Sequence, residues 1–168
     1  KRTFNKMIRK VRTNDVAAIT TIYNGYIQNS TATFETEPIT EEEMKQRIES
    51  ISPHFPYLVD EENGVITGYC YAHPWKARAA YQYTLETTVY LAPEFIGKGI
   101  GRLLMERLIE ESRSSGFRAL IACITAENES SCSFHERLGF EKVSHFVKVG
   151  EKFGRWLDVV DYELLLNL

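Results

Sequence analysis

The spacing of apolar positions changes period several times along the chain, and each change marks an element. Ile8 to Val11 is a short strand candidate, while residues 1–6 carry no core pattern and read as a disordered extension of a single domain, 1–168. Thr13 or Asn14 is placed to cap a helix whose Val16, Ile19, Ile22, Tyr23 and Tyr26 share one face. Residues 29–38, NSTATFETEP, have no helical face and read as a loop. Thr40 followed by Glu43 is a capping box for a helix with Met44, Ile48 and Ile51 inward, stopped by Pro53 and Pro56.

Strands over 57–61 and 65–73 flank Asn63-Gly64, a dipeptide suited to the two left-handed positions of a tight hairpin. A long strand over 81–91 follows Pro74-Trp75, and a helix over 101–115 ends at Gly116. A buried strand over 119–125, a helix over 130–138 closed by Gly139, and strands over 141–149 and 157–166 complete the chain. The order β-α-α-β-β-β-α-β-α-β-β predicts an α/β protein of the mixed α+β kind, a central sheet flanked by helices.

Composition narrows the function. A chain of 168 residues suffices for one domain with a substantial core. The formal net charge of −3 gives no electrostatic case for nucleic acid or an anionic membrane. No apolar run approaches transmembrane length and no secretory pattern is visible. Cys70, Cys123 and Cys132 lack paired spacing and read as reduced, mostly buried thiols of a cytoplasmic protein. His54, His73, His135 and His145 show neither HxH nor HxxxH spacing, so no metal is expected.

The chemistry concentrates in Thr87 to Leu104, TTVYLAPEFIGKGIGRLL, where a strand feeds a glycine cluster that opens a helix. Without Cβ atoms the backbone can approach a phosphate, and the helix start offers unpaired N–H groups and a positive dipole end. Lys98 is followed by Gly99 rather than Ser or Thr, which excludes a Walker loop. The third glycine of the dinucleotide fingerprint would fall on Arg102 or Leu104, which excludes that motif too.

The stretch Ile96-Gly97-Lys98-Gly99-Ile100-Gly101 resembles the pyrophosphate loop of the GNAT superfamily of acetyl-CoA-dependent N-acetyltransferases. It departs at Ile96, where that family has Gln or Arg; Lys98 and Arg102 are the cations at hand. The resemblance implies a mostly antiparallel central sheet, acetyl-CoA as co-substrate, and a cofactor site comprising Ile96, Gly97, Lys98, Gly99, Ile100 and Gly101. It also implies a strand splayed at Val89, Tyr90 and Leu91 to hold the pantetheine arm and the oxyanion, with Asn128 and Ser130 beyond the next strand. Glu86, a lone carboxylate in TLETTVYL, is the base candidate, because burial in a sheet would raise its pKa toward neutrality. His135, in Phe134-His135-Glu136-Arg137-Leu138-Gly139-Phe140, takes the place of the family's tyrosine acid near the CoA sulfur, where a histidine can serve as the acid or only hydrogen-bond the cofactor.

A closer likeness covers nearly the whole chain. Residues 29–38, Pro74-Trp75-Lys76-Ala77-Arg78-Ala79-Ala80-Tyr81, Glu86-Thr87-Thr88-Val89-Tyr90 and Lys152 to Val159 resemble the phosphinothricin and methionine sulfoximine acetyltransferase group. That implies a small amino-acid substrate with a tetrahedral, polar γ-group, and a link to herbicide or antibiotic resistance. Lys76, Arg78, Tyr81 and Tyr83 would supply its donors, Thr87 would line the site, and Phe34 and Thr36 would cover the aliphatic stem. It further implies a homodimer with residues 153–158 near the interface. The competing readings are a GNAT enzyme for a polyamine, an antibiotic or a protein N-terminus, and a non-catalytic acetyl-CoA sensor.

Overall fold

The computed structural model describes residues 6–167, and all elements and counts below refer to that stretch. Seven strands form one sheet in the order β1-β2-β3-β4-β5-β7-β6. They are β1 Lys6–Lys10, β2 Tyr57–Glu62, β3 Val65–Pro74, β4 Thr84–Leu91, β5 Ala119–Thr125, β6 Glu141–Lys152 and β7 Arg155–Leu165. The helices are α1 Val16–Asn29, α2 Glu41–Ile51, α3 Ile100–Ser114 and α4 Glu129–Arg137, so the element order is the predicted one. Every strand pair is antiparallel except β4 with β5. Residues 1–5 of the expected N-terminal extension lie outside the described residues, and Lys6 belongs to β1, opposite Glu62.

Alternation along the strands gives the sheet two apolar faces. Leu58, Cys70, Ala72, Leu85, Leu120 and Ala122 bury against Leu104, Met105 and Leu108 of α3. Tyr57, Val59 and Tyr69 bury against Ile19 and Ile22 of α1 and Met44 and Ile48 of α2. Asn63 and Gly64 take φ of 51° and 81°, both left-handed, as the tight hairpin requires. The Thr40 hydroxyl accepts from the Glu43 amide at 3.1 Å, but the Glu43 carboxylate turns to Arg47 at 2.9 Å, so half of the expected capping box forms.

The larger departures from the expected boundaries are in β4, β6 and β7. Ala79–Tyr81 coil into a 3₁₀ turn, so β4 starts at Thr84. Register shifts within β6 carry it on to Lys152, and a second tight turn at Phe153-Gly154, with φ of 54° and 71°, returns it as β7. Trp156 on that hairpin is 67% exposed, and Phe146, Val147, Val149 and Phe153 beside it are exposed too. No helix among the described residues is long and apolar enough to cross a membrane.

Candidate active site

The site begins where β4 and β5 part. Their parallel ladder runs from Thr84↔Ala119 to Thr87↔Ala122 and stops. β4 nevertheless continues to Leu91, paired on its outer side with β3, and β5 continues to Thr125, paired on its outer side with β7. The inner edges of residues 88–91 and 123–125 therefore face one another without ladder bonds, and buried peptide groups left so need a partner. A cleft of about 940 Å³ opens there, lined by both edges, by Gly97, Gly99 and Gly101, and by Asn128, Ser130 and His135. Gly97 and Gly99 both have φ of 82°, and Gly99 is the N-cap of α3, so the turn aims the first amides of the helix toward the cleft. At the last paired position Thr87 is 7% exposed, and its hydroxyl is a buried side-chain oxygen with no hydrogen-bond partner among the described residues.

Glu86 points to the opposite face from Thr87. Its side chain is 31% exposed and its Oε2 lies 3.2 Å from Nε2 of His73, the residue directly across on β3. The expected burial of a lone carboxylate is therefore corrected: Glu86 is half-buried and paired with a histidine. The pairing raises the His73 pKa above its ordinary value. Glu86 does not line the main cleft but acts on Cys123, which does. Although the residue as a whole is exposed, desolvation of its thiol, then Asp161 and Glu86, push that group up to about 12. Cys70 is buried, Cys132 is half-buried and Cys123 is exposed, so the expectation of mostly buried thiols holds in part.

His135 is 4% exposed between the rings of Phe134 and Phe140. Burial lowers its pKa, and its Nδ1 donates to the Ser131 carbonyl at 2.8 Å. In the neutral ring that this favours, Nε2 carries a lone pair and no proton. Of the two roles expected of it, acid or hydrogen-bond partner of the cofactor, the arrangement suits the second, as an acceptor.

The 30–36 loop forms a wall of the cleft through Ser30, Thr31 and Ala32. Side chains from the sheet hold its carbonyls. Lys152 Nζ donates to Ser30 O at 2.6 Å and Thr33 O at 2.8 Å, Thr125 Oγ1 donates to Thr31 O at 2.6 Å, and the Tyr90 hydroxyl reaches Ala32 O at 3.4 Å. Phe34 lies on the backbone of Gly150, where a Cβ would fall 2.2 Å from the ring. Glu35 receives both Arg47 amino groups, at 2.9 and 2.7 Å, and the Tyr23 hydroxyl.

Comparison with known proteins agrees with this geometry. The family model described as Acetyltransferase (GNAT) domain matches residues 8–160. The chain belongs to the GNAT acetyltransferase family. Among its relatives, the phosphinothricin N-acetyltransferase of Alcaligenes faecalis is 40% identical over 162 residues, 95% of this chain and 82% of that one. The L-methionine sulfoximine/L-methionine sulfone acetyltransferase of Salmonella typhimurium is 38% identical, over 91% of this chain and 90% of that one. The crystal structure of a phosphinothricin acetyltransferase from Sinorhizobium meliloti, in complex with AcCoA, superposes with a TM-score of 0.93 at 37% identity, covering 96% of this chain and 89% of that one.

In this acetyltransferase the cleft gathers Thr87, Val89, Tyr90, Leu91, Ile96, Gly97, Gly99, Gly101, Asn128, Ser130 and His135 of the expected residues. The Ile100 side chain is instead buried in the core, leaving only its backbone for a ligand, and Lys98 is exposed with its ammonium 5.3 Å from the Phe95 ring. Phe34, Thr36, Lys76, Arg78 and Tyr83 are exposed and do not line the main cleft. Lys76 lies over the Trp75 ring at 4.3 Å. Sequence reasoning missed His73, Lys152 and Thr125 as contributors to the site. Only their partners distant in sequence reveal them, Glu86 across the strands for His73 and carbonyls of the 30–36 loop for Lys152 and Thr125, and no local motif encodes those. Among the described residues no group of three or more histidine, cysteine or carboxylate side chains gathers as a metal site.

Proposed function

We propose that this acetyltransferase moves an acetyl group from acetyl-CoA to the α-amine of a small amino acid with a tetrahedral, polar γ-group, of the phosphinothricin, methionine sulfoximine or methionine sulfone type. The observation that carries the reading is the parting of β4 and β5 beside Glu86. The open edges suit the amides of a pantetheine arm, the Gly97 to Gly101 amides suit a pyrophosphate, and the unpartnered Thr87 hydroxyl suits an acyl or acceptor oxygen. The names of the relatives supply the acceptor class.

In this reading Glu86 takes the ammonium proton through a water, and the free amine attacks the thioester carbonyl directly. Backbone donors of Val89 to Leu91 steady the oxyanion. The thiolate takes its proton from solvent, while His135 accepts a hydrogen bond at Nε2. Lys76, Arg78 and Tyr83, on the segment between His73 and Glu86, receive the α-carboxylate and the γ-oxygens, and Phe34 and Thr36 cover the stem. Two copies meet through the exposed 153–158 segment, and the unpaired thiols fit the cytoplasm.

The test is CoA-thiol release from acetyl-CoA with phosphinothricin, methionine sulfoximine, methionine sulfone, methionine, glutamate and spermidine. Turnover confined to the tetrahedral γ-group compounds is expected. Turnover with spermidine alone, or none with any of the first three, overturns the acceptor class.

A further inference from the structure

The fold sets His73 against Glu86 by register. Pro74 ends β3 and the chain loops through residues 75–83, yet the returning strand places Glu86 opposite His73 and on the same face of the sheet. His73 is anchored at its other nitrogen as well, with Nδ1 3.0 Å from the Pro74 carbonyl. A carbonyl only accepts, so Nδ1 carries a hydrogen. In the neutral ring Nε2 is then a bare lone pair facing Glu86 Oε2 at 3.2 Å. Two acceptors at that distance repel, and the contact becomes attractive when one proton lies between them.

We propose that His73 and Glu86 work as a single proton-accepting pair, in which His73 stores the proton that Glu86 collects from the acceptor's ammonium. The inference rests on Glu86 being the base, and His73 acts through Glu86 rather than on the substrate. The acceptor N–H bond breaks and its proton passes, through water, to Glu86. Nε2 of His73 then takes one proton across the contact. The pair goes from imidazole–carboxylate to imidazolium–carboxylate, no electrons change hands, and the proton leaves to solvent when the product departs. The advantage lies in matching. A lone half-exposed carboxylate is a weak base at neutral pH, whereas an imidazole held against a carboxylate takes up its proton close to the working pH.

The surroundings leave the proton with this pair. Tyr71, on the same strand, has its ring 6.0 Å from the imidazole and a pKa raised by burial. Cys123 on β5 keeps its proton, because desolvation and the charges of Asp161 on β7 and of Glu86 raise its pKa. From the helical side, Arg47 and Glu35 act on Tyr71 but are already paired with one another. The His73 pKa is raised first by the Glu86 hydrogen bond and Glu86's charge, against an opposing contribution from burial.

The experiment is the pH dependence of kcat at saturating acetyl-CoA and acceptor, for the wild type, His73→Gln and Glu86→Gln, with the His73 imidazole titrated by NMR. Saturation makes the profile report the bound complex. The wild-type rate should rise through a midpoint above about 6.5, the ordinary imidazole value. His73→Gln, which keeps a hydrogen-bond donor but cannot titrate, should move that midpoint to lower pH and lower the plateau roughly tenfold. By NMR the His73 midpoint should fall to about 6.5 or below in Glu86→Gln. A His73→Gln enzyme that loses rate without moving its midpoint, beside an inactive Glu86→Gln, makes His73 a structural partner and overturns the inference while the base assignment stands. Glu86→Gln at the wild-type rate overturns the base assignment itself. Should His73→Gln fail to fold, a His73 titration unmoved by Glu86→Gln overturns the pairing.

Discussion

Lys152 is the sharpest test of how this site is held in shape. Its side chain is 3% exposed, and its direct partners are two backbone carbonyls of the 30–36 loop. Burial lowers its pKa, and Glu35 works in the opposite direction. Replacement by Met keeps the length and apolar stem and removes the charge. Two charge-assisted hydrogen bonds are lost, each worth about 1.5–3 kcal/mol, and the desolvation cost of the ammonium, several kcal/mol, is relieved. The larger consequence is for Ser30 O and Thr33 O. Left buried without donors they cost about 1–3 kcal/mol apiece, a penalty the loop escapes by lifting into water. The loss in stability is thus capped by the cost of opening the loop.

A net loss of about 1–3 kcal/mol follows, which for a chain of this length is a Tm lower by roughly 3–10 °C. Because the same loop carries Phe34 and Thr36, proposed to cover the acceptor's stem, the kinetic effect should exceed the thermal one: KM for the acceptor should rise tenfold or more, with a smaller change in kcat. Differential scanning calorimetry and steady-state kinetics on Lys152→Met check both. A variant with wild-type Tm and wild-type KM for the acceptor would show that the loop is held by its other contacts, and the latch argument would fail.

Two further outcomes can be checked directly. His135 has a lowered folded pKa, so below the ordinary imidazole value of about 6.5 the unfolded chain binds a proton that the native state does not. Its contribution is present above that value and is lost as pH falls through the folded pKa. Urea unfolding at pH 7.5 and 5 should therefore show a smaller loss on acidification in His135→Gln than in the wild type, and equal losses would refute the assignment. Trp156, two-thirds exposed on the β6–β7 hairpin, should anchor a dimer. Sedimentation should find a wild-type dimer and a Trp156→Glu monomer; a wild-type monomer would end that reading.

What the sequence disclosed is what local chemistry controls. Asn63-Gly64 announces its turn because both residues tolerate positive φ. Gly97 and Gly99 announce the loop for the same reason, and Thr40 announces the start of α2 through its own side chain. The point where β4 and β5 separate was inferred from the family resemblance, since no propensity distinguishes Thr87 from Thr88. Long-range pairing decides the rest. Glu86 looks like a buried lone carboxylate until the β3–β4 register brings His73 across from it, and that register is set beyond the detour through residues 75–83 that no periodicity reads through. Lys152 looks like a surface lysine in KFGRW until the register shifts of β6 turn it inward onto a loop more than a hundred residues earlier. His135 was legible as a position but not as a chemical state, because its protonation depends on burial and on one carbonyl a helical turn away. The residues that line the cleft through backbone or turn geometry could therefore be read from the chain. The residues that tune a proton or hold a wall in place are defined by partners distant in sequence, and they had to wait for the fold.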